Sequence, residues 1–524
     1  MSTETVWLLI PECVLIATAL AIYTAGAFVD APKRWGWIAG AGILLAASCL
    51  LLQSEVTLDG PVSGDDLAFF GRCLALAFGG LFVLLASRPL QGPGTPEYIG
   101  SLLLAITGLM LVSGVSELIL LFLGLELISI PTYILLYLGR RDVNSQEATL
   151  KYFFLSILAS GMLLYGFSFL YGTTGTTSLA AMRTVAEAST GLADLSNVAM
   201  VLIFAGLGFK IAAVPFHFYA PDVYQGTTHA NAAVLSVLPK AAGFIALARL
   251  AVMAMPALEA DGWRVVLVLA VLTMTFGNVV ALWQDNLRRL LAYSSIAHAG
   301  YMLIGLAVVL ASQATGRPME FGGLGALMFY LCVYTVATIG TFAVFDYLGG
   351  RNASVESVAE LAGLGRTRPF MAAMTAVFMF SLAGIPPLAG FQGKLALFLS
   401  ALSVEGQTAG GSLRPWFIGL AIIGVLNAAV AAAYYLRIIG TMYFRTPLAT
   451  PRAEGGAGPW CAAAACAVLA LAIGIYPRPL TEASFAAKPD TEYTKTEIDS
   501  QANLSVDRKT WAENALPPPT LPDS

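Results

Sequence analysis

Apolar residues fill fourteen long runs along the chain, separated by short polar segments. The runs are Trp7–Phe28, Trp35–Leu52, Leu67–Ala86, Tyr98–Val115, Leu118–Leu138, Ala148–Leu170 and Leu195–Val214, then Ala230–Ala251, Val265–Trp283, Leu290–Leu310, Gly322–Phe345, Phe370–Leu402, Trp416–Tyr443 and Trp460–Tyr476. About 20 apolar residues is the length a helix needs to cross the hydrocarbon layer. Lipid offers no partner to free backbone groups, and these runs are too long for barrel strands, so each is expected to be a helix. The pattern predicts an all-α integral membrane protein of about 14 transmembrane helices. An acidic Glu4, and no basic segment, precedes the first run, which is read as a retained span and not a cleaved leader.

The polar segments test that division. Those after odd-numbered runs carry Lys33, Arg34, Arg88, Arg140, Arg141, Arg288, Arg289, Arg351, Arg366, Arg368, Arg445 and Arg452; those after even-numbered runs carry Arg183, Arg264, Arg317 and Arg414. Basic residues stay on the cytoplasmic side. The asymmetry therefore predicts a multi-pass protein with the odd segments in the cytoplasm and both termini on the outer side. Beyond Tyr476 the character changes, and residues 481–524 read as a polar, solvated tail without predicted structure.

Composition narrows the chemistry. Of 524 residues, 57% are hydrophobic and 11% charged, against about 25% charged in soluble domains. The net charge of −4 comes with no basic stripe, which excludes nucleic-acid partners. The six cysteines form no C-x-x-C pair and the three histidines are scattered, so no zinc or iron–sulfur ligand set is expected. No glycine-rich nucleotide loop and no haem motif occur either. The chain is expected to bind no cofactor and no metal, and any oxidoreductase activity would be shared with partners.

A charge in mid-membrane costs about 2.5–3.5 kcal/mol on insertion scales and calls for an explanation. Glu126, Lys210, Lys240, Lys394 and Arg437 fall well inside runs; Lys151 lies near the start of one, Glu12 a few residues into the first, and His298 inside the tenth. Glu126 and Lys210 on neighbouring helices would offset each other's desolvation and link their protonation states; a static pair that only fixes packing is the alternative. Lys240 follows Pro239, whose missing N–H opens the helix ladder to water and so favours proton exchange at the lysine; a snorkelling lysine is the alternative. Lys394 closes the stretch Gly384-Ile385-Pro386-Pro387-Leu388-Ala389-Gly390, where a continuous helix is not expected. His298 reads as a proton relay or as a histidine held by a backbone carbonyl. His217 and His229 flank Pro221-Asp222 near the cytoplasmic surface, where proton uptake or a plain loop role would suit them.

The seventh run ends at Pro215 and the twelfth breaks at Pro386 and Pro387, five runs apart. An odd offset turns matching elements over in the membrane, so two inverted five-helix repeats are expected, with broken helices 7 and 12. The organisation reads as N-terminal helices over 1–97, a first repeat over 98–251, a second over 252–444, a last helix over 445–480 and the tail from 481.

Several stretches together carry a resemblance: Leu123-Gly124-Leu125-Glu126-Leu127, Glu147-Ala148-Thr149-Leu150-Lys151-Tyr152-Phe153, Gly208-Phe209-Lys210 through Val214-Pro215-Phe216-His217, Ala220-Pro221-Asp222-Val223-Tyr224-Gln225-Gly226, Arg288-Arg289-Leu290 through His298, and the Gly-Ile-Pro-Pro run ending at Lys394. They resemble, in order from about Leu118 to Phe444, the antiporter-like subunits of respiratory complex I (NADH–quinone oxidoreductase), which are related to cation/proton antiporters. Lys394, the Ala432-Ala433-Tyr434-Tyr435-Leu436-Arg437 stretch and the lack of a long lateral helix are most similar to the N type. The chain departs from the family at Thr227-Thr228-His229-Ala230-Asn231, where a proline is usual. The resemblance implies a proton path in which Glu126 modulates Lys210, Lys240 is the central carrier, Lys394 exchanges with the far side through water and polar residues such as His298, and Lys151 belongs to the charged input network. It also implies a neighbouring antiporter-like subunit and small helical subunits as partners, and NADH, flavin, iron–sulfur clusters and quinone in other subunits. A cation/proton antiporter, or a related hydrogenase or ferredoxin-driven complex, would use the same features.

Overall fold

The structure is a computed structural model that describes residues 3–489 except 30, 54–59, 88–93, 141, 183–192, 255–257, 316–321, 350–354, 409–410 and 448–452. The loop bases Arg88, Arg141, Arg183, Arg317, Arg351 and Arg452, and the tail from 490, therefore lie outside the described residues. After a short turn of helix over Thr3–Leu8 come α1 (Ile10–Gly26), α2 (Pro32–Leu52), α3 (Asp66–Leu85), α4 (Thr95–Gly114), α5 (Leu118–Gly139), α6 (Val143–Thr174), α7 (Ala193–Ile211), α8 (Ala220–Gly226) and α9 (His229–Met253). The second half holds α10 (Leu258–Ala281), α11 (Leu287–Thr315), α12 (Gly323–Leu348), α13 (Pro369–Ala383), α14 (Ala389–Leu402), α15 (Arg414–Phe444), α16 (Ala457–Ile475) and α17 (Arg478–Ala486). A two-stranded hairpin, Gln407–Thr408 with Gly411–Ser412, is the one sheet among the described residues.

Eleven of these helices are long and apolar enough to cross a membrane. Three further crossings come from shorter apolar helices: α1, α7, and α13 continued by α14. The fourteen expected spans are thus all helical, and the seventh and twelfth are the broken ones. At the first break Ala212 takes φ +57° and the Val214–Pro215 peptide is cis; at the second Gly384 takes φ +86° and Pro386–Pro387 is cis.

The two halves share one pattern of neighbours. Helix α4 packs on α5, α6 on α7, and α9 on both α4 and α7; likewise α10 packs on α11, α12 on α13 and α14, and α15 on α10 and α14. The α4–α5 contact closes through Gly108, where an added Cβ would stand 2.9 Å from the Gly124 carbonyl, and the α10–α11 contact through Gly277, 2.6 Å from the Ala297 nitrogen. Small residues let backbones approach this closely where lipid supplies no hydrophobic drive. Helices α9, α11 and α12 form the centre and are buried nearly all round.

Two expectations change. The tail does not begin as an unstructured segment: α17 crosses position 481, Phe485 fills the space beside Gly325 of α12, and the Lys488 carbonyl accepts from the Leu67 N–H. Arg437 is not a mid-membrane charge. It reaches the end of the bundle, 34% exposed, 3.4 Å from Asp285, and donates to the Gln284 carbonyl.

Candidate functional site

Ser129 lies one helical turn beyond Glu126 on α5, so both side chains share one edge of that helix. Lys210, in the last turn of α7, approaches this edge with its Nζ 3.7 Å from Glu126 Oε1. Its ammonium donates to the Ser129 hydroxyl and, at 3.4 Å, to Ser156 of α6. The Glu126 carboxylate accepts from Ser160 of α6. Three serine hydroxyls therefore surround the pair. Lys210 is buried, while Glu126 keeps 20% of its side chain exposed on the flank of the bundle.

Lys240, on α9 one residue after Pro239, is 1% exposed. It donates to both the carbonyl and the hydroxyl of Ser295 on α11, and sits over the Tyr334 ring at 5.1 Å. The Tyr334 hydroxyl donates to Ser295 Oγ at 2.7 Å. Among the described residues Lys240 has no carboxylate within ion-pair distance, so its charged form is offset only by these oxygens and one aromatic face.

One turn along α11 from Ser295, the His298 ring lies between two phenols. Its Nδ1 is 2.6 Å from the Tyr330 hydroxyl and its Nε2 3.0 Å from that of Tyr435, which also bonds Ser294. The His298 and Tyr334 rings are 5.0 Å apart, so this histidine adjoins the Lys240 pocket. On the other side is Tyr301, over whose face Lys394 Nζ sits at 4.9 Å.

Lys394 reaches back across the second break. Its Nζ donates to the Leu382 and Ala383 carbonyls at 3.0 and 2.9 Å, two of the acceptors that the end of α13 leaves without helical partners. Gly384 makes this possible twice over. It adopts a left-handed φ suited to glycine, and a Cβ there would stand 2.9 Å from Lys394 Cδ.

The polar segments after odd spans converge on a cavity of about 240 Å³ lined by Arg140, Asn144, Glu147, Ala148, Lys151, Asp222, Gln225, Gly226, Arg288 and Glu356. Lys151 pairs with Glu147 at 2.7 Å and Asp222 at 3.0 Å; Arg289 meets Asp222 at 2.6 Å; Arg288 and Arg140 both meet Glu356, at 2.8 and 3.2 Å. Burial alone would raise the Asp222 carboxyl, but hydrogen bonds and charge from Lys151 and Arg289 outweigh it and hold that carboxyl below its usual range. His217 does not line the cavity; it packs edge-on against Phe276 at 4.5 Å. His229 is buried, with Nε2 3.0 Å from the Val355 carbonyl.

Sequence reasoning missed three sets of residues. The tyrosines Tyr301, Tyr330, Tyr334 and Tyr435 were legible only as apolar filling, although Tyr330 and Tyr334 share one face of α12. The serines around Lys210 carry no signal without the neighbouring helix. Two buried pairings were also unforeseen: Glu12, singled out without its partner, meets Arg72 at 2.8 Å, and Asp65, just before α3, meets Arg249 of α9 at 2.7 Å.

Comparison with known proteins gives a consistent result. Residues 115–411 match the family described as NADH:quinone oxidoreductase/Mrp antiporter, TM. The chain is 39% identical over 445 residues to the NADH-quinone oxidoreductase subunit N of Trichlorobacter lovleyi, covering 83% of this chain and 87% of that one. It is similar to a chain of respiratory complex I from Thermus thermophilus, with a TM-score of 0.76 at 33% identity over 91% of this chain and 100% of that chain. A chain of the Mrp complex from a Dietzia species, at TM-score 0.76 and 21% identity over 93% of this chain and 97% of that chain, shares the fold.

Proposed function

The chain belongs to the subunit N family of NADH–quinone oxidoreductase, and from that premise we propose that it carries protons across a bacterial inner membrane along Glu126, Lys210, Lys240, His298 and Lys394. The observation that carries this reading is the presence of three buried lysines in one bundle, each donating hydrogen bonds to hydroxyl or carbonyl oxygens. Intramembrane ionisable residues that face a bundle interior are characteristic of such paths.

Each group has a distinct role. The cavity at the odd-loop end is the cytoplasmic uptake region, held by Lys151, Asp222 and Arg289. Lys240 is the central carrier, and its proton leaves by Ser295 toward His298, whose ring packs against that of Tyr334, the phenol bonded to Ser295. Lys394 receives it beside Tyr301 and, on the outer half of the twelfth span, releases it past the end of α13. One water, or a swing of the Lys394 side chain, would join His298 to Lys394. Glu126 acts on Lys210 through its field. At an effective dielectric of about 20, charges 4 Å apart interact by about 4 kcal/mol, enough to move a lysine between protonation states.

Matched neighbour patterns and opposite orientation support two inverted repeats, with breaks in the seventh and twelfth spans, over 98–251 and 252–444. On this reading both termini lie on the outer side. The electron path from NADH through flavin and iron–sulfur clusters to quinone belongs to partner subunits, and the chain sits between another antiporter-like subunit and small helical ones. The test is to tag the chain, extract membranes in mild detergent and assay what co-purifies. Flavin and iron–sulfur proteins with NADH–quinone activity are expected. Recovery with small membrane proteins alone, and sodium-dependent exchange without NADH, would overturn the assignment.

A further inference from the structure

Helices α10 and α11 meet backbone to backbone: a Cβ added at Gly300 of α11 would meet the Met274 nitrogen of α10, just as one at Gly277 would meet Ala297. Asn278, the residue after Gly277, is thereby brought to Tyr301. It is fully buried, so both ends of its amide need partners. Its Nδ2 lies 3.2 Å from the Asn427 main-chain carbonyl of α15, which can only accept, so the NH2 group faces that helix and donates there and to Asn427 Oδ1 at 3.3 Å. The same NH2 donates to the Tyr301 hydroxyl at 3.3 Å, and the Tyr434 hydroxyl donates to Asn278 Oδ1 at 3.0 Å. Asn427 is itself held, its amide donating to Thr275 Oγ1 at 3.1 Å and to the Ile423 carbonyl at 3.0 Å. The Tyr301 phenol is thus tied at its hydroxyl to α10 and, through Asn278, to α15.

That phenol stands where the chain of polar groups is interrupted. Among the described residues no hydrogen bond joins His298 to Lys394. Tyr301 lies one turn beyond His298 on the same edge of α11. Its ring packs edge-on against the imidazole at 6.0 Å and carries Lys394 Nζ over its face at 4.9 Å. Lys394 already donates to the Leu382 and Ala383 carbonyls, so the ring face meets what remains of its ammonium. The tie to Asn278 decides where that ring stands.

We propose that Asn278 is a positioning residue that latches the Tyr301 ring between His298 and Lys394 and so holds back the return of protons from Lys394; the proposal rests on the proton-carrying function above. While the latch holds, the ring keeps the imidazole and the Lys394 amine apart. When the Tyr301 hydroxyl leaves Asn278, the ring turns aside, and one water or the Lys394 side chain bridges the gap. One proton then passes between imidazole and amine, and Tyr301 keeps its own proton and stays neutral.

The test uses the intact complex in sealed liposomes: NADH drives proton uptake, and the gradient is left to decay once NADH is exhausted. Asn278→Leu keeps the bulk of the side chain and removes the amide. Backflow, taken as decay in excess of protein-free liposomes, is expected to quicken about fivefold, the factor by which loss of one ordinary hydrogen bond raises a displaced population. The protons moved per NADH should fall with it. Tyr301→Phe keeps the ring, loses the hydroxyl and should behave alike, and Asn278→Leu added to it should change nothing further. A residue that only fastens α10 to α15 would lower proton and electron flux together at an unaltered ratio, and its loss would add to that of Tyr301→Phe; either result overturns the proposal. If Asn278→Leu does not assemble, Tyr301→Phe decides alone, and wild-type backflow there removes the latch. Lys394→Met separates the two levels: a normal proton ratio in that variant contradicts the proton-carrying function itself, whereas a lowered ratio there with wild-type backflow in Tyr301→Phe contradicts the latch alone.

Discussion

Lys210 and Glu126 face one another at 3.7 Å, yet the ammonium spends its hydrogen bonds on Ser129 and Ser156 while the carboxylate takes one from Ser160. The two charges are coupled by their field and separated by hydroxyls, so neither is locked to the other. Glu126→Gln leaves the ammonium uncompensated and should slow coupled NADH–quinone turnover about tenfold. Glu126→Gln combined with Lys210→Met should be no slower than the worse single variant, because the pair acts as one unit. Losses that multiply in the double variant would contradict the coupling.

The Gly384 turn is expected to be intolerant of any side chain. Gly384→Ala places a Cβ at a left-handed φ, costing about 1–2 kcal/mol, and against the stem of Lys394. The thermal midpoint of the detergent-solubilised complex should fall, whereas Gly440→Ala, whose nearest neighbour is a Phe444 ring atom at 4.0 Å, should leave it unchanged. Equal midpoints for the two variants would count against the turn as described.

Asp65 and Arg249 tie the N-terminal helices to α9, the helix that carries Lys240. The pair is bidentate, and Arg249 also donates to the Ser113 carbonyl. Removing one member strands a buried charge, at a cost of about 3–5 kcal/mol. Arg249→Met alone should therefore reduce assembled complex on a native gel more than Asp65→Asn with Arg249→Met. The reverse order would show that the pair does not act as a buried ion pair.

Protonation of Asp222 should loosen the cavity. Its folded carboxyl is held below its ordinary value of 3.8, so the stabilisation it gives is fully present above that value and disappears as pH falls through the lower folded one. Hydrogen exchange of residues 220–226, corrected for intrinsic rates, should stay slow down to about pH 4 and rise below it. Asp222→Asn should exchange faster at neutral pH and show no such step. A step that persists in Asp222→Asn would assign it to another carboxylate.

Much of this fold was legible because lipid makes strict demands. A run such as Leu118–Leu138 has helix as its viable form, and the prolines at 215, 386 and 387 marked both broken spans. Lys210, Lys240 and Lys394 stood out because a buried charge is rare and costly. What fills the space between them was not legible. Tyr330 and Tyr334 read as ordinary apolar filling until α12 is placed against His298. Ser129 and Ser160 acquire meaning only when α5 and α6 meet. Arg437 misled because its position in a run says nothing of how far its long side chain reaches, here to Asp285 at the end of the bundle. Arg72 and Arg249 escaped notice near the ends of their runs, although both are buried against carboxylates.

The central claim is that Lys240, which meets Ser295 and Tyr334 but no carboxylate among the described residues, is the carrier on which translocation through this chain depends. The direct measurement is the number of protons moved per NADH oxidised by the intact complex in sealed liposomes, for wild type and Lys240→Met, with assembly checked on a native gel. An assembled variant that moves fewer protons per NADH, or turns over only slowly, is the expected result. An assembled Lys240→Met complex with the wild-type ratio and rate would contradict the account.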